Sequence, residues 1–181
     1  MSSTAVPESG AGPDSGPEMA SVHRLIEGRV EMQAAVRQAL ERVAAASSAR
    51  QLFLCDAGFA DWPLGDRSVV ALFEAWARSH RSLVMIASSF DDLARRHPRW
   101  VTWRRQWSHI VDCRVLADRE PAFCPGLLHA PGVCTLRLFD VQRHRGAYTE
   151  GDRVVDRAIG AEFDVLTQQS EPGFPVTTLG L

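Results

Sequence analysis

The 181-residue chain contains no lysine, and all 20 of its basic residues are arginine. Without a primary amine on any side chain, a Walker-type phosphate grip, a Schiff base and a lysine general base are all excluded. Its four cysteines, Cys55, Cys113, Cys124 and Cys134, form no CxxC pair and have no histidine at zinc-finger spacing. They read as small buried hydrophobes, and no metal and no cofactor is expected. Long apolar runs are also missing: none approaches the roughly eighteen residues of a membrane span, and the first residues lack the basic start and apolar stretch of a signal peptide. The cytoplasm is the expected location. Charge of one sign is not in excess, with a formal net charge of −2, so no global field draws the chain to nucleic acid or anionic lipid.

What is present is the composition of one globular domain, 45% hydrophobic and 23% charged. Residues 1–20 are mostly Ser, Pro, Gly, Ala and acids, with too little to bury to offset the entropy of ordering. They are expected to be a disordered leader before a single α/β domain over 21–181. From Val22 to about Ala46, Leu25, Met32, Val36, Leu40 and Val43 recur at helical spacing, which predicts one long amphipathic helix. Gln51–Cys55 is a short apolar run closed by Asp56 and Gly58, a buried strand running into a polar loop. Val69, Leu72, Phe73 and Trp76 mark a helix face with Asp66 or Ser68 available as a cap.

Leu83–Ala87 repeats the pattern of a buried strand. Pro98 suits the first turn of the helix that follows, on which Trp100, Trp103 and Trp107 fall at i, i+3 and i+7. Ile110–Leu116 reads as a third strand. Strand and helix have then alternated three times, which favours βαβ units with a mainly parallel sheet. Beyond them, Phe123–Leu128 and Val133–Phe139 around Ala130-Pro131-Gly132 predict a hairpin. Val155, Ile159, Phe163 and Leu166 stripe a last helix. The tail from Glu171 to Leu181 is extended, with Phe174, Val176, Leu179 and Leu181 available to dock.

This order of elements resembles one repeat, or half, of the phospholipase D-like fold. The stretches Phe59–Leu64, His97–Trp100 with Trp103–Arg105, and Phe174–Leu181 are similar to a degenerate branch of it in a family of beta-proteobacterial proteins. The resemblance covers roughly residues 22 to 181. It implies a mixed sheet of about five to six strands flanked by helices, and it implies no activity. Active phospholipase D-like enzymes use a His-x-Lys-x4-Asp motif, in which histidine attacks phosphorus and lysine holds a phosphate oxygen. The strand reaching His129 reads Ala122-Phe123-Cys124-Pro125-Gly126-Leu127-Leu128 and carries neither group. The resemblance therefore implies a domain without phosphodiester transfer.

Two constellations remain. Asp56, Asp61 and Trp62 follow the first strand, and Ser88, Asp91 and Asp92 the second. The carboxyl ends of parallel strands are where ligands settle in open α/β sheets. Turn and cap chemistry also explains each of these residues alone. The second is basic: Arg95, Arg96, Arg99, Arg104 and Arg105, interleaved with the three tryptophans. Arginine forks grip phosphates and tryptophans stack on bases. The tryptophan period instead turns that face to a core and most of the arginines to solvent. Arg99, Arg104 and Arg105 are the candidates for a phosphate or partner contact, and Asp56, Asp61, Trp62, Ser88 and Asp91 for a small ligand. His109, at the start of the third strand, reads as buried or pH-sensitive. No catalytic residue is assigned. The expected role is a binding or assembly module for a protein partner or a second copy. A small phosphorylated ligand is the alternative, and nucleic acid the weakest.

Overall fold

The computed structural model describes residues 21–78, 80–116 and 124–175. The leader, the segment 117–123 and the tail positions Val176, Leu179 and Leu181 lie outside the described residues. Strands β2 (Gln51–Asp56), β3 (Ser82–Ala87) and β4 (Val111–Leu116) are parallel neighbours, with Leu52 opposite Leu83 and Leu83 opposite Val111. The crossovers are helix α2 (Arg67–Trp76) between β2 and β3, and helices α3 (Asp91–Arg96) and α4 (Pro98–Gln106) between β3 and β4. Strands covered on both faces read as near-continuous apolar runs, which is why Leu52–Cys55 and Leu83–Ala87 were readable without alternation.

Two of the expectations fail at the edges of the sheet. Val22–Glu27 is not the start of a helix but strand β1, and helix α1 begins at Arg29 and runs to Ala45. Gly28 separates them at φ +93°, a conformation that glycine adopts without the Cβ penalty. Six residues are too few to tell a period of 2 from one of 3.6, and here pairing with a distant strand decides. That strand is β7 (Arg145–Glu150), antiparallel to β1, with Leu25 opposite Ala147.

The predicted hairpin is present as β5 (Gly126–Ala130) and β6 (Cys134–Asp140), with β5 also antiparallel to β2. β6 pairs in turn with β7. There Gly146 lies so close to β6 that a Cβ would collide with the Arg137 carbonyl. A short β8 (Ser170–Pro172) closes against β4. The sheet therefore has eight strands in the order β1-β7-β6-β5-β2-β3-β4-β8, not five to six.

Helices α1 to α4 cover one face over the larger core, where Leu54, Phe73, Met85, Trp100 and Tyr148 are fully buried. Helix α5 (Arg153–Gln168) lies on the opposite face over Cys55, Ile86, Leu127, Ile159 and Phe163. Asp152 caps α5 by accepting the amides of Val154 and Val155. On the β1 side of the sheet, Leu25, Ala147 and Arg137 lie abreast by register, and Leu25 is 73% exposed.

Candidate functional site

The carboxyl ends of β2 and β3 meet the turn between β6 and β7 around a cleft of about 400 Å³. Asp56, Asp61, Trp62 and Asp91 line it together with Asp92, Arg95 and His144, so four of the five rim candidates converge. Ser88 is not among the lining residues. Its amide instead donates to the Ala57 carbonyl at 3.1 Å and ties the two loops together.

Each carboxylate at this rim has a structural partner. Asp56 Oδ1 accepts the amides of Gly58 (3.0 Å) and Phe59 (2.6 Å), the Asx-type turn that holds Phe59 at φ +57°. Asp61 receives the Arg29 guanidinium and His144 Nε2, both at 3.1 Å. The Ser89 hydroxyl donates to Asp91 at 2.9 Å, and Arg95 pairs with Asp92. Trp62 is 2% exposed, packed edge-on against Phe59, and its buried Nε1 has no partner among the described residues. The cleft is thus lined by anions whose charge is already answered. Among the described residues, no group of three or more His, Cys, Asp or Glu is placed to hold a metal ion.

The arginine segment divides between surface and interior. Trp100 and Trp103 are buried, and Trp107 is half-buried with its Nε1 donating to Glu74. Arg99 and Arg105 are exposed, Arg99 reaching the Gly65 carbonyl at 3.2 Å. Arg104, a candidate for a solvent-side phosphate contact, is only 5% exposed. Its Nε donates to Cys113 Sγ at 3.1 Å and its Nη2 to the Phe174 carbonyl, with the guanidinium 4.7 Å over the Phe174 ring. The physical reason is helical: position 104 is four residues after Trp100 and shares the tryptophans' face. Arg95 is paired with Asp92, so no continuous cationic face results. His109 is exposed in the turn before β4, its ring tilted against Trp107, contrary to the buried strand position expected of it.

Sequence reasoning missed a buried polar chain on the α5 side. His129, 1% exposed, lies between the rings of Phe53 and Phe163, with its Nδ1 2.9 Å from Thr135 Oγ1 and its Nε2 3.9 Å from Asp156 Oδ1. A hydroxyl, an imidazole and a carboxylate in that order resemble a nucleophile, base and orienting acid. With Thr135 only 4% exposed, no substrate reaches the hydroxyl, and the chain serves to satisfy buried polar atoms. Burial holds the His129 imidazole below the ordinary histidine range, and the nearby Asp156 opposes that shift. His97 is likewise lowered by burial, with its Nε2 2.9 Å from the Phe59 carbonyl. Cys55 and Cys124, 69 residues apart in sequence, bring their sulfurs within 3.1 Å in the α5-side core. The hydrogen bond to Cys124, followed by burial, pushes the Cys55 thiol far above its ordinary range.

No protein-family model matches the chain, and no curated protein matches it in sequence. Solved structures do match it in shape. One is NUC from Salmonella typhimurium, a phospholipase D family member, at a TM-score of 0.55 and 8% identity over 86% of this chain and 100% of that one. The fold is phospholipase D-like. Because the likeness spans the whole of the NUC chain, this protein is not half of such a fold, as its element order had implied. A second match in shape is TrmBL2, an archaeal chromatin protein that binds DNA. It aligns at a TM-score of 0.57 and 13% identity over 89% of this chain, and this chain spans 56% of TrmBL2. Among the described residues no helix is long and apolar enough to cross a membrane.

Proposed function

We propose that the protein is a non-catalytic assembly module that pairs with a second copy of itself along the free edge of β1. The observation that carries this reading is the edge itself: six residues of extended chain with one flank paired to β7 and the other without a partner strand among the described residues. Gly28 N–H donates to the His144 carbonyl on the paired flank, while Glu27 N–H points outward and donates to Glu31 Oε2. By the alternation of a strand, the amides and carbonyls of His23 and Leu25 also face outward. With the Glu27 amide capped by Glu31, the groups of His23 and Leu25 are left as a template for another strand.

A two-fold axis through Leu25 makes the edge self-complementary. Leu25 would exchange both backbone bonds with its own copy, and His23 would stand opposite Glu27 of the other chain. The absence of lysine, and the carboxylates already paired at the rim, support a non-catalytic role. An acidic rim also disfavours a phosphorylated ligand there by like-charge repulsion. The arginine segment gives little support to nucleic-acid binding, since Arg104 is buried and Arg95 paired.

Light scattering at micromolar concentration is expected to give twice the 20.0 kDa chain mass. Leu25→Lys, which places two charges on the axis, and Leu25→Pro, which deletes the central amide, are both expected to give monomers with unchanged far-ultraviolet circular dichroism. A monomeric wild type, or dimers that survive both changes, would overturn the reading.

A further inference from the structure

The parallel strands have a second set of ends, on the side of the sheet away from the carboxylate cleft. Ahead of β2 and β3, Ser48, Arg50, Gln51, His80, Arg81, Ser82 and Pro131 enclose a concavity of about 370 Å³. Its chemistry is the reverse of the rim's. Three cationic or protonatable side chains and two hydroxyls line it, and no carboxylate does. The two strand starts are locked together, because the Ser82 amide donates to the Arg50 carbonyl at 3.0 Å.

Arg81 is fixed in place: its Nη1 donates to the carbonyls of Ser47 and Ala49, and its Nε is buried without a partner. Its Nη2 makes no hydrogen bond to any described residue, so one nitrogen of a fixed guanidinium stays unspent. Arg50 is exposed and forms no ion pair among the described residues. His80 sits at φ +43°, a left-handed conformation that costs a non-glycine residue energy and tends to mark functional positions.

We propose that this concavity binds a phosphate group, held by the guanidinium of Arg50 and Nη2 of Arg81 with His80, Ser48 and Ser82 as further donors. Guanidinium forks match phosphate oxygens, and one arginine held from behind loses little freedom on binding. The shared chemistry is a phosphate monoester, carried either by a small metabolite or by the end of an oligonucleotide.

The test is amide chemical-shift mapping on the full chain with inorganic phosphate, adenosine monophosphate and 5′-phosphorylated or unphosphorylated single-stranded DNA. Saturable shifts are expected at His80, Arg81 and Ser82 but not at Gly58 or Ser89 of the acidic rim. Arg50→Gln touches no structural contact and is expected to weaken phosphate binding about tenfold, as for one lost charge-assisted bond. Equal response to phosphate and adenosine monophosphate marks a small-molecule site. A response confined to 5′-phosphorylated DNA marks a strand end, and either result upholds the proposal. No saturable shift, shifts centred on the rim, or binding unchanged by Arg50→Gln would overturn it. Arg81→Gln is a weaker probe, because it also releases two carbonyls.

Discussion

His97 and His129 are two residues through which pH near neutrality acts on this fold. Both imidazoles are lowered by burial, so the unfolded chain takes up their protons first as pH falls. Stability contributed by keeping them neutral is complete above the unfolded value of about 6.5 and declines as pH drops below it. The urea midpoint is therefore expected to hold from pH 8 to 7 and to fall between pH 6.5 and 5.5. His129→Gln, retaining a polar side chain beside Thr135, should lower the midpoint at pH 7.5 and flatten the decline. A midpoint unchanged between pH 7.5 and 5.5 would show that the two histidines are not neutral in the folded state. At this scale the sequence was half legible. The rim aspartates were readable because parallel strand ends collect polar loops. Arg104 was not, because a charge on an apolar helix face is compatible with either orientation until Cys113 and Phe174 supply its partners.

At the scale of elements, β1 and α5 depend on single residues at their ends. Gly28→Ala meets no steric obstacle, since nothing lies within 4 Å of the added Cβ, so its cost is that of the positive φ alone. A loss of about 2 kcal/mol is expected, because this backbone region is essentially confined to glycine. Asp152→Ala removes the acceptor for two amides of α5 and should cost about 1 kcal/mol. Chemical denaturation of the two variants and of their combination would check both, and a departure from additivity would report coupling through β1, whose His23 lies 3.3 Å from Asp152. β1 and β7 escaped sequence reading for one reason. Arg145–Glu150 buries Tyr148 deeply but carries too few apolar residues to mark a period, so only its pairing with β6 and β1 makes it a strand.

For the whole molecule, order should grade across the sheet. β2 and β3 are flanked by strands on both sides and covered on both faces, whereas β1 has one neighbour and an exposed Leu25. Amide hydrogen exchange in the monomeric Leu25→Lys variant is therefore expected to be slowest at Leu52–Cys55 and Leu83–Ile86 and fastest among the strands at β1. Uniform protection across all eight strands would count against that gradient. In the wild type, added protection at His23 and Leu25 alone would report the proposed edge pairing. The charge of the molecule is graded too, with carboxylates at one end of the parallel strands and Arg50, His80 and Arg81 at the other.

The sequence by itself determined what a local window can express: three buried parallel strands alternating with helices, a tryptophan-bearing helix face turned to the core, and an inventory without lysine that rules out amine chemistry. The tertiary structure alone decided strands β1 and β7, the partners of His129 and Arg104, and the segregation of charge to opposite ends of the sheet. The physical reason is range. Periodicity is a property of neighbouring residues. Pairing, burial and field depend on which distant residues meet, as His23 meets Thr149 and Cys55 meets Cys124.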